Sequence, residues 1–441
     1  ANEQEDYEDP DRFVSPEPPM VVDRPGAVMI DPSRWQPLDL AVAVTQNGIP
    51  VGAGVQGYIG PHWRDVEPFA VERPAPGAPY FDLGEGPRFD ANIIRSRRGH
   101  SLDAELDLTD EQIIDISPAS YGNNSLGAND GQGYLQNPFT GEAYEPILVN
   151  RGDFGRVMAE YWADGPRSET PPGHWNVIAH QAMESPAFER RIEGAADELG
   201  ALEYDLKLHL ALNGALHDAA IVAWEIKRLY LSARPISLIR TMAGLGQSSE
   251  PAAADYDPMG LPLVEGLIER ITAESAALGQ RHHHLAPYIG ELTVRSWRGE
   301  PGDPAAELGG IAWIRALEWV PYQRETFVTP AFPGYTSGHS TFSRSAAEVL
   351  AAITGTPFFP GGLGQNVLKK DAYLTFEQGP STDVPLSYAT YYDAADQAGQ
   401  SRLWGGIHIA ADDFDGRRTG SEVGKRAFTK AKTFFDGSAR P

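Results

Sequence analysis

Cysteine is absent from this 441-residue chain. That removes disulfides, thiolate metal sites and cysteine nucleophiles together. Methionine is scarce, with six residues. The side chains most readily oxidised are therefore few, which suits work beside an oxidant and equally arises from ordinary sampling of composition. No stretch approaches 18 uninterrupted apolar residues, so no transmembrane helix is expected. Positive charge is in deficit: 36 Lys and Arg against 61 Asp and Glu give a net charge of −25 and a pI near 4.8. Such a balance argues against nucleic acid or anionic membrane as a partner. Position 1 is alanine rather than methionine. Removal of an export signal is expected, giving a secreted or periplasmic protein, with a trimmed cytoplasmic chain as the alternative.

What is present reads as globular. Hydrophobic residues make up 41% and charged residues 22%, enough for a sizeable core in one large domain or two to three smaller ones. Residues 1–35 are rich in Asp, Glu and Pro and read as an acidic extended arm, with 1–9 a solvated tail. From 36 to 150 the texture is irregular and rich in proline and glycine; "LDLAVAV" and "VGAGVQGYIG" fit short strands. From 151 to 441 apolar residues recur at three and four, predicting a mainly α domain. Helices are expected in 152–165 and 186–233, then at 263–279, 304–317, 340–353, 389–403 and 417–434. Leu206 to Leu231 is apolar on most of its circumference, as in a helix at the centre of a bundle.

Three stretches carry the chemistry. "EIKRLYLSARPISLIR", 225–240, sets Lys227 and Arg234 seven apart, on nearly one helix face, with Pro235 placing Arg234 at the helix end. By itself this is compatible with a solvated basic pair. In "TPAFPGYTSGHSTFSRSAAEVLAAITG", 329–355, Ser337 can cap a helix whose first N–H groups, at Gly338 and His339, are free for an anion. In "QSRLWGGIHIAADDFDGRRTG", 400–420, Arg402 precedes His408 by six. Asp412, four beyond His408, can accept its Nδ1–H and leave Nε2 as ligand or nucleophile.

Taken in order, K-x6-R-P, S-G-H and S-R-x5-H-x3-D resemble the vanadium-dependent haloperoxidases and the related acid phosphatases of the PAP2 superfamily, closest to a chloroperoxidase-like bacterial branch. The resemblance covers roughly residues 200–430 and extends to "YWADGPRSETPPGHWNVIA", 161–179. It implies a helical-bundle core and an oxyanion pocket for vanadate or phosphate built from Lys227, Arg234, Ser337, Gly338, Arg402 and His408. It implies His408 as the vanadium ligand, steadied by Asp412. His339 would be the acid–base group and Lys227 the residue polarising bound peroxide. Trp224 and Phe332 fall where chloride-oxidising members carry Trp and Phe, and would form an apolar halide edge; core packing is the bland alternative. The implied partners are hydrogen peroxide, a halide and a small organic acceptor, and a homo-oligomer is compatible with the family.

The implied function is oxidation of bromide or chloride by peroxide to a hypohalous acid equivalent. Long spacers between the motifs favour it over an acid phosphatase working through a phospho-histidine. A secreted structural protein that keeps the fold without activity is a second alternative, disfavoured because every oxyanion ligand is intact. Weaker signals are expected to be structural. The His282–His284 run reads as an exposed or interfacial cluster, and "DYDPMGLPLVE", 255–265, has Met259 where a calcium loop needs an oxygen ligand and its closing glutamate one residue early. His217 and Asp218 are expected to make structural hydrogen bonds, Asp218 steadying an arginine of the pocket.

Overall fold

A computed structural model describes residues 13–45, 48–75, 78, 80–81, 113–122, 132–165, 168–195 and 197–439. The acidic tail at 1–9 lies outside them. Seven helices longer than two turns organise the described residues: α1 Arg151–Tyr161, α2 Pro171–Glu184, α3 Ala201–Tyr230, α4 Pro235–Leu245, α5 Gly338–Thr354, α6 Tyr391–Trp404 and α7 Ala410–Phe435. Ten short strands make four small sheets: β1 Met20–Val21, β2 Leu38–Val44 and β3 Pro50–Val55; β4 Ile113–Asp115 with β5 Leu148–Asn150; β6 Ile268–Arg270, β7 Leu292–Trp297 and β8 Ile311–Arg315; β9 Gly364–Leu368 with β10 Val384–Tyr388. The protein is thus mainly α, as its helical periodicity requires.

The helical core is centred on α3, whose Leu208, Leu212, Ala215, Leu216, Ala219, Val222 and Ala223 are buried against α5 and α7. Small residues set how closely those helices approach. Gly416, Gly420 and Gly424 recur every four residues on α7 and face the Ser337, Thr341 and Ser345 carbonyls of α5. A Cβ on Gly420 would lie 2.4 Å from the Thr341 oxygen, so the backbones touch only because no side chain intervenes. Alanine gains about 1 kcal/mol over glycine in a free helix, but here the clash is with rigid backbone. Gly420→Ala is expected to lose about 1–3 kcal/mol of stability, read as a lowered midpoint in urea denaturation.

Several expectations need correction. Residues 263–279 and 304–317 are not helical: they hold β6, β8 and turns, because glycine and proline at Pro262, Gly266, Pro301, Gly302, Pro304, Gly309 and Gly310 break the helix and "IAWIR" pairs as a strand. Residues 186–195 and 197–200 hold turns, irregular backbone and a short 3-10 segment before α3 begins. Helices α2 and α4 were not anticipated; each opens with proline at its first position, a start signal rather than a stop. Residues 13–35 wrap onto the fold as an ordered arm. The Glu17 carboxylate accepts the Ile30 and Asp31 N–H groups, and β1 pairs in parallel with β2.

Candidate active site

Helix α3 stops at Tyr230 because Leu231 turns left-handed, with φ 50°. The chain then runs extended, and Arg234, with φ −87° and ψ 154°, caps α4 through Pro235. Lys227 and Arg234 therefore do not share a helix face. They meet because the chain reverses between two helices, and both end fully buried beside the 332–336 loop. The Lys227 ammonium donates to the carbonyls of Pro333 (2.8 Å), Gly334 (2.9 Å) and Thr336 (2.5 Å). All three of its N–H directions are occupied, so direct contact with an oxyanion requires one of them to be released. Burial, and then the charge of Arg234, push its pKa well below the ordinary lysine value, with Asp412 opposing.

Arg234 donates Nε–H to Phe332 O (3.0 Å) and Nη1–H to Ile407 O (2.8 Å), with Nη1 also 2.9 Å from His408 Nε2. Its Nη2 is buried without a partner among the described residues. Burial and the nearby Arg402 charge, opposed by Asp412, depress Arg234 to about 9; burial lowers Arg402 to about 10 against the pull of Asp164. Both remain cationic at neutral pH. Arg402, near the end of α6, donates to Ser401 Oγ and Ala159 O, which leaves Nη1 unbonded among the described residues.

His408 lies two residues before α7. Its Nδ1 is 2.9 Å from Asp412 Oδ2, and a carboxylate only accepts, so Nδ1 carries the proton and Nε2 the lone pair. Burial first, then Arg234, Lys227 and Arg402, push its pKa well below the ordinary histidine value. Lys227 and Arg234 of the first motif, His339 of the second and Arg402 of the third all bear on this one imidazole, so the three motifs converge. Asp412 also locks the frame: its backbone oxygen accepts the Ser337 N–H at 2.8 Å.

Ser337 caps α5, its Oγ accepting the Ser340 N–H at 3.3 Å. The N–H groups of Gly338 and His339 have no acceptor among the described residues. The pocket thus offers a helix N-terminus, a hydroxyl and a buried unpaired guanidinium N–H, while both nearby carboxylates, Asp412 and Asp164, are engaged by histidines. Uncompensated positive charge of this kind is costly unless an anion shares the site. The residues present fit a tetrahedral oxyanion such as vanadate.

His339, on the first turn of α5, reveals a pair that the motif spacing missed. Its Nε2 lies 3.1 Å from Asp164 Oδ2, and the other oxygen of Asp164 lies 2.8 Å from His174 Nδ1. Asp164 is 3% exposed and held in the left-handed region, φ 52°. Burial works against its ionisation, but the bonds from His174 and His339 prevail and keep its pKa below the ordinary value. His339 therefore carries its proton on Nε2 and presents Nδ1 as a base. Burial and Arg402 lower its pKa, with Asp164 opposing, so it is neutral at neutral pH. The signal was in "YWADGPRSETPPGHW", where Asp164 and His174 flank the start of α2.

Trp224 and Phe332 pack with their rings tilted at 53° and 4.8 Å between centroids, and Lys227 Nζ lies 5.9 and 5.1 Å from the two centroids. Trp63 packs against Trp224 with ring centroids 4.8 Å apart and planes tilted by 37°, and Trp224 Nε1 donates to Ile59 O. Asp218 does not steady a pocket arginine: it accepts the N–H groups of Phe69, Ala70 and Val71 and so docks the 69–71 segment on α3. His282 is buried, edge-on to Trp313, rather than exposed; only His283 and His284 reach solvent. Asp255 is held by Arg270.

The family model of the VCPO second helical-bundle domain matches residues 207–437, more than half of the chain. The chain belongs to the vanadium haloperoxidase family. Among solved structures it is similar to an apo-type bacterial vanadium-dependent chloroperoxidase, with TM-score 0.61 and 16% identity over 98% of this chain and 67% of that one. The holo-type bacterial chloroperoxidase gives 0.58 and 16% over 96% and 65%. A bacterial vanadium-dependent iodoperoxidase gives 0.42 and 19% over 91% and 61%. At these identities the likeness is one of fold, and the chain spans about two thirds of the length of the chloroperoxidases. No curated protein matches.

Proposed function

We propose that the protein is a vanadate-dependent haloperoxidase, oxidising bromide or chloride with hydrogen peroxide to a hypohalous acid equivalent that halogenates a small organic acceptor. The observation that carries this reading is the convergence of Lys227, Arg234 and Arg402 on His408 with a guanidinium N–H buried and unpaired. Arg234, Arg402, Ser337 Oγ and the Gly338 N–H would hold the oxygens of vanadate, and His408 Nε2 would bind the vanadium once Arg234 releases it to the anion. Bound vanadate would supply a Lewis-acid centre that activates peroxide without changing oxidation state. His339 Nδ1 takes the proton from the incoming peroxide, and Asp164 stabilises the imidazolium that results. Lys227, by holding the 333–336 carbonyls, fixes the loop that carries Ser337, and one released N–H can polarise peroxide. Trp224 and Phe332 give a halide a water-poor edge.

The test uses one purified sample stripped of bound anion. With orthovanadate, peroxide and bromide or chloride, halogenation of a dione is expected; without vanadate, hydrolysis of an aryl phosphate is expected to be negligible. Hydrolysis with no vanadate-dependent halogenation would instead make the pocket that of a phosphatase with a phospho-histidine intermediate.

A further inference from the structure

We propose that His180 on α2 and His209 on α3 form a two-imidazole site for a divalent transition-metal ion, joining the two helices at the surface. The two Nε2 atoms lie 3.1 Å apart and the ring centroids 5.0 Å apart. Two imidazoles sharing a proton along a straight N–H···N bond of this length would hold their centroids about 5.4 Å apart. Two imidazoles converging on an ion about 2.0 Å from each nitrogen would hold them about 4.9 Å apart. The observed 5.0 Å, with the rings tilted at 44°, suits an ion between the two nitrogens, and a bent N–H···N bond reaches the same spacing in its absence.

The tautomer agrees. Asn176 Nδ2 donates to the Pro172 carbonyl and Asn213 Nδ2 to the His209 carbonyl, which fixes both amide orientations. Asn176 Oδ1 is then the acceptor facing His209 Nδ1 at 3.1 Å. His209 must carry its proton on Nδ1, and its Nε2 is a lone pair aimed at His180. An outer acceptor that fixes the tautomer in this way is the usual support of a metal-bound histidine. Asp205 Oδ1, 3.5 Å from His209 Nε2, adds negative charge beside the ion. Among the described residues no group of three or more His, Cys, Asp and Glu is arranged to hold a metal, so water would complete the shell. Imidazole pairs favour Zn²⁺, Ni²⁺ or Cu²⁺ over Mg²⁺ or Ca²⁺.

This site stands apart from the oxyanion pocket, so its test is independent of the proposed activity. The chelator-treated full chain is titrated calorimetrically with Zn²⁺ and, separately, Mg²⁺. One Zn²⁺ is expected to bind, with no heat from Mg²⁺. His180→Ala and His209→Ala should each weaken Zn²⁺ at least about tenfold, and Asn176→Ala by a similar factor through the lost tautomer support. Because His180 is exposed, His180→Ala should melt as the wild type does without metal, which separates lost binding from lost folding. Equal Zn²⁺ affinity in wild type, His180→Ala and His209→Ala would overturn the assignment, as would wild type that binds Zn²⁺ no better than Mg²⁺.

Discussion

His408→Ala is expected to abolish tight vanadate binding. The imidazole is a neutral ligand in a pocket of cations, and it is the group on which all three of their charges bear. Losing an outer partner of a bound metal costs 10–100-fold, so loss of the ligand itself should exceed about 100-fold in affinity. Equilibrium dialysis against orthovanadate reads this directly, and vanadate-dependent halogenation should fall with it. The fold should survive, because Asp412 keeps a bond from the Ile409 N–H, and its backbone oxygen still receives the Ser337 N–H. Normal vanadate affinity in this variant would show that the ligand is misassigned.

His339→Ala should behave differently. Vanadate should stay bound while turnover falls by about 10²–10³-fold, the usual contribution of a positioned base. Asp164→Asn is a subtler probe, since asparagine also tolerates the positive φ at this position. The sign follows from charge. Asp164⁻ stabilises the protonated His339, so removing it lowers the His339 pKa further. The acid limb of the kcat/KM profile should therefore move to lower pH while the maximum rate drops. A profile that keeps its acid limb in Asp164→Asn would mean that a different group takes the proton. His174 enters through the same carboxylate as a positioning residue, packed against Trp162 with ring centroids 4.6 Å apart.

Much of this was legible in the letters. Helices α5 and α6 follow from their apolar period and from caps at Ser337 and Thr390. Lys227, Arg234, Ser337, Arg402 and His408 could be named because each sits in a short motif with a fixed spacing. Asp164 and His174 could not be, since their roles arise only when α2 folds back on the start of α5 and the two rings meet one carboxylate. Residues 263–317 misled because alanine, leucine and glutamate there suggest helix, while pairing among β6, β7 and β8 overrides that preference. The reversal between α3 and α4 escaped for a related reason: Pro235 was read as closing one helix, although proline is equally suited to open the next.

The docking of residues 58–71 onto α3 bears on how such an enzyme can diversify. Trp224 is backed by Trp63 and tethered to Ile59, neither of which belongs to the segments that carry Lys227, Arg234, Ser337, Arg402 and His408. The tier that would meet the halide is thus contributed partly by an upstream ribbon, whereas the charged cage is assembled wholly downstream. If the proposed function holds, exchanging that ribbon would retune which ion is oxidised while leaving the charged cage untouched, so preference and power would evolve on separate pieces of the polypeptide.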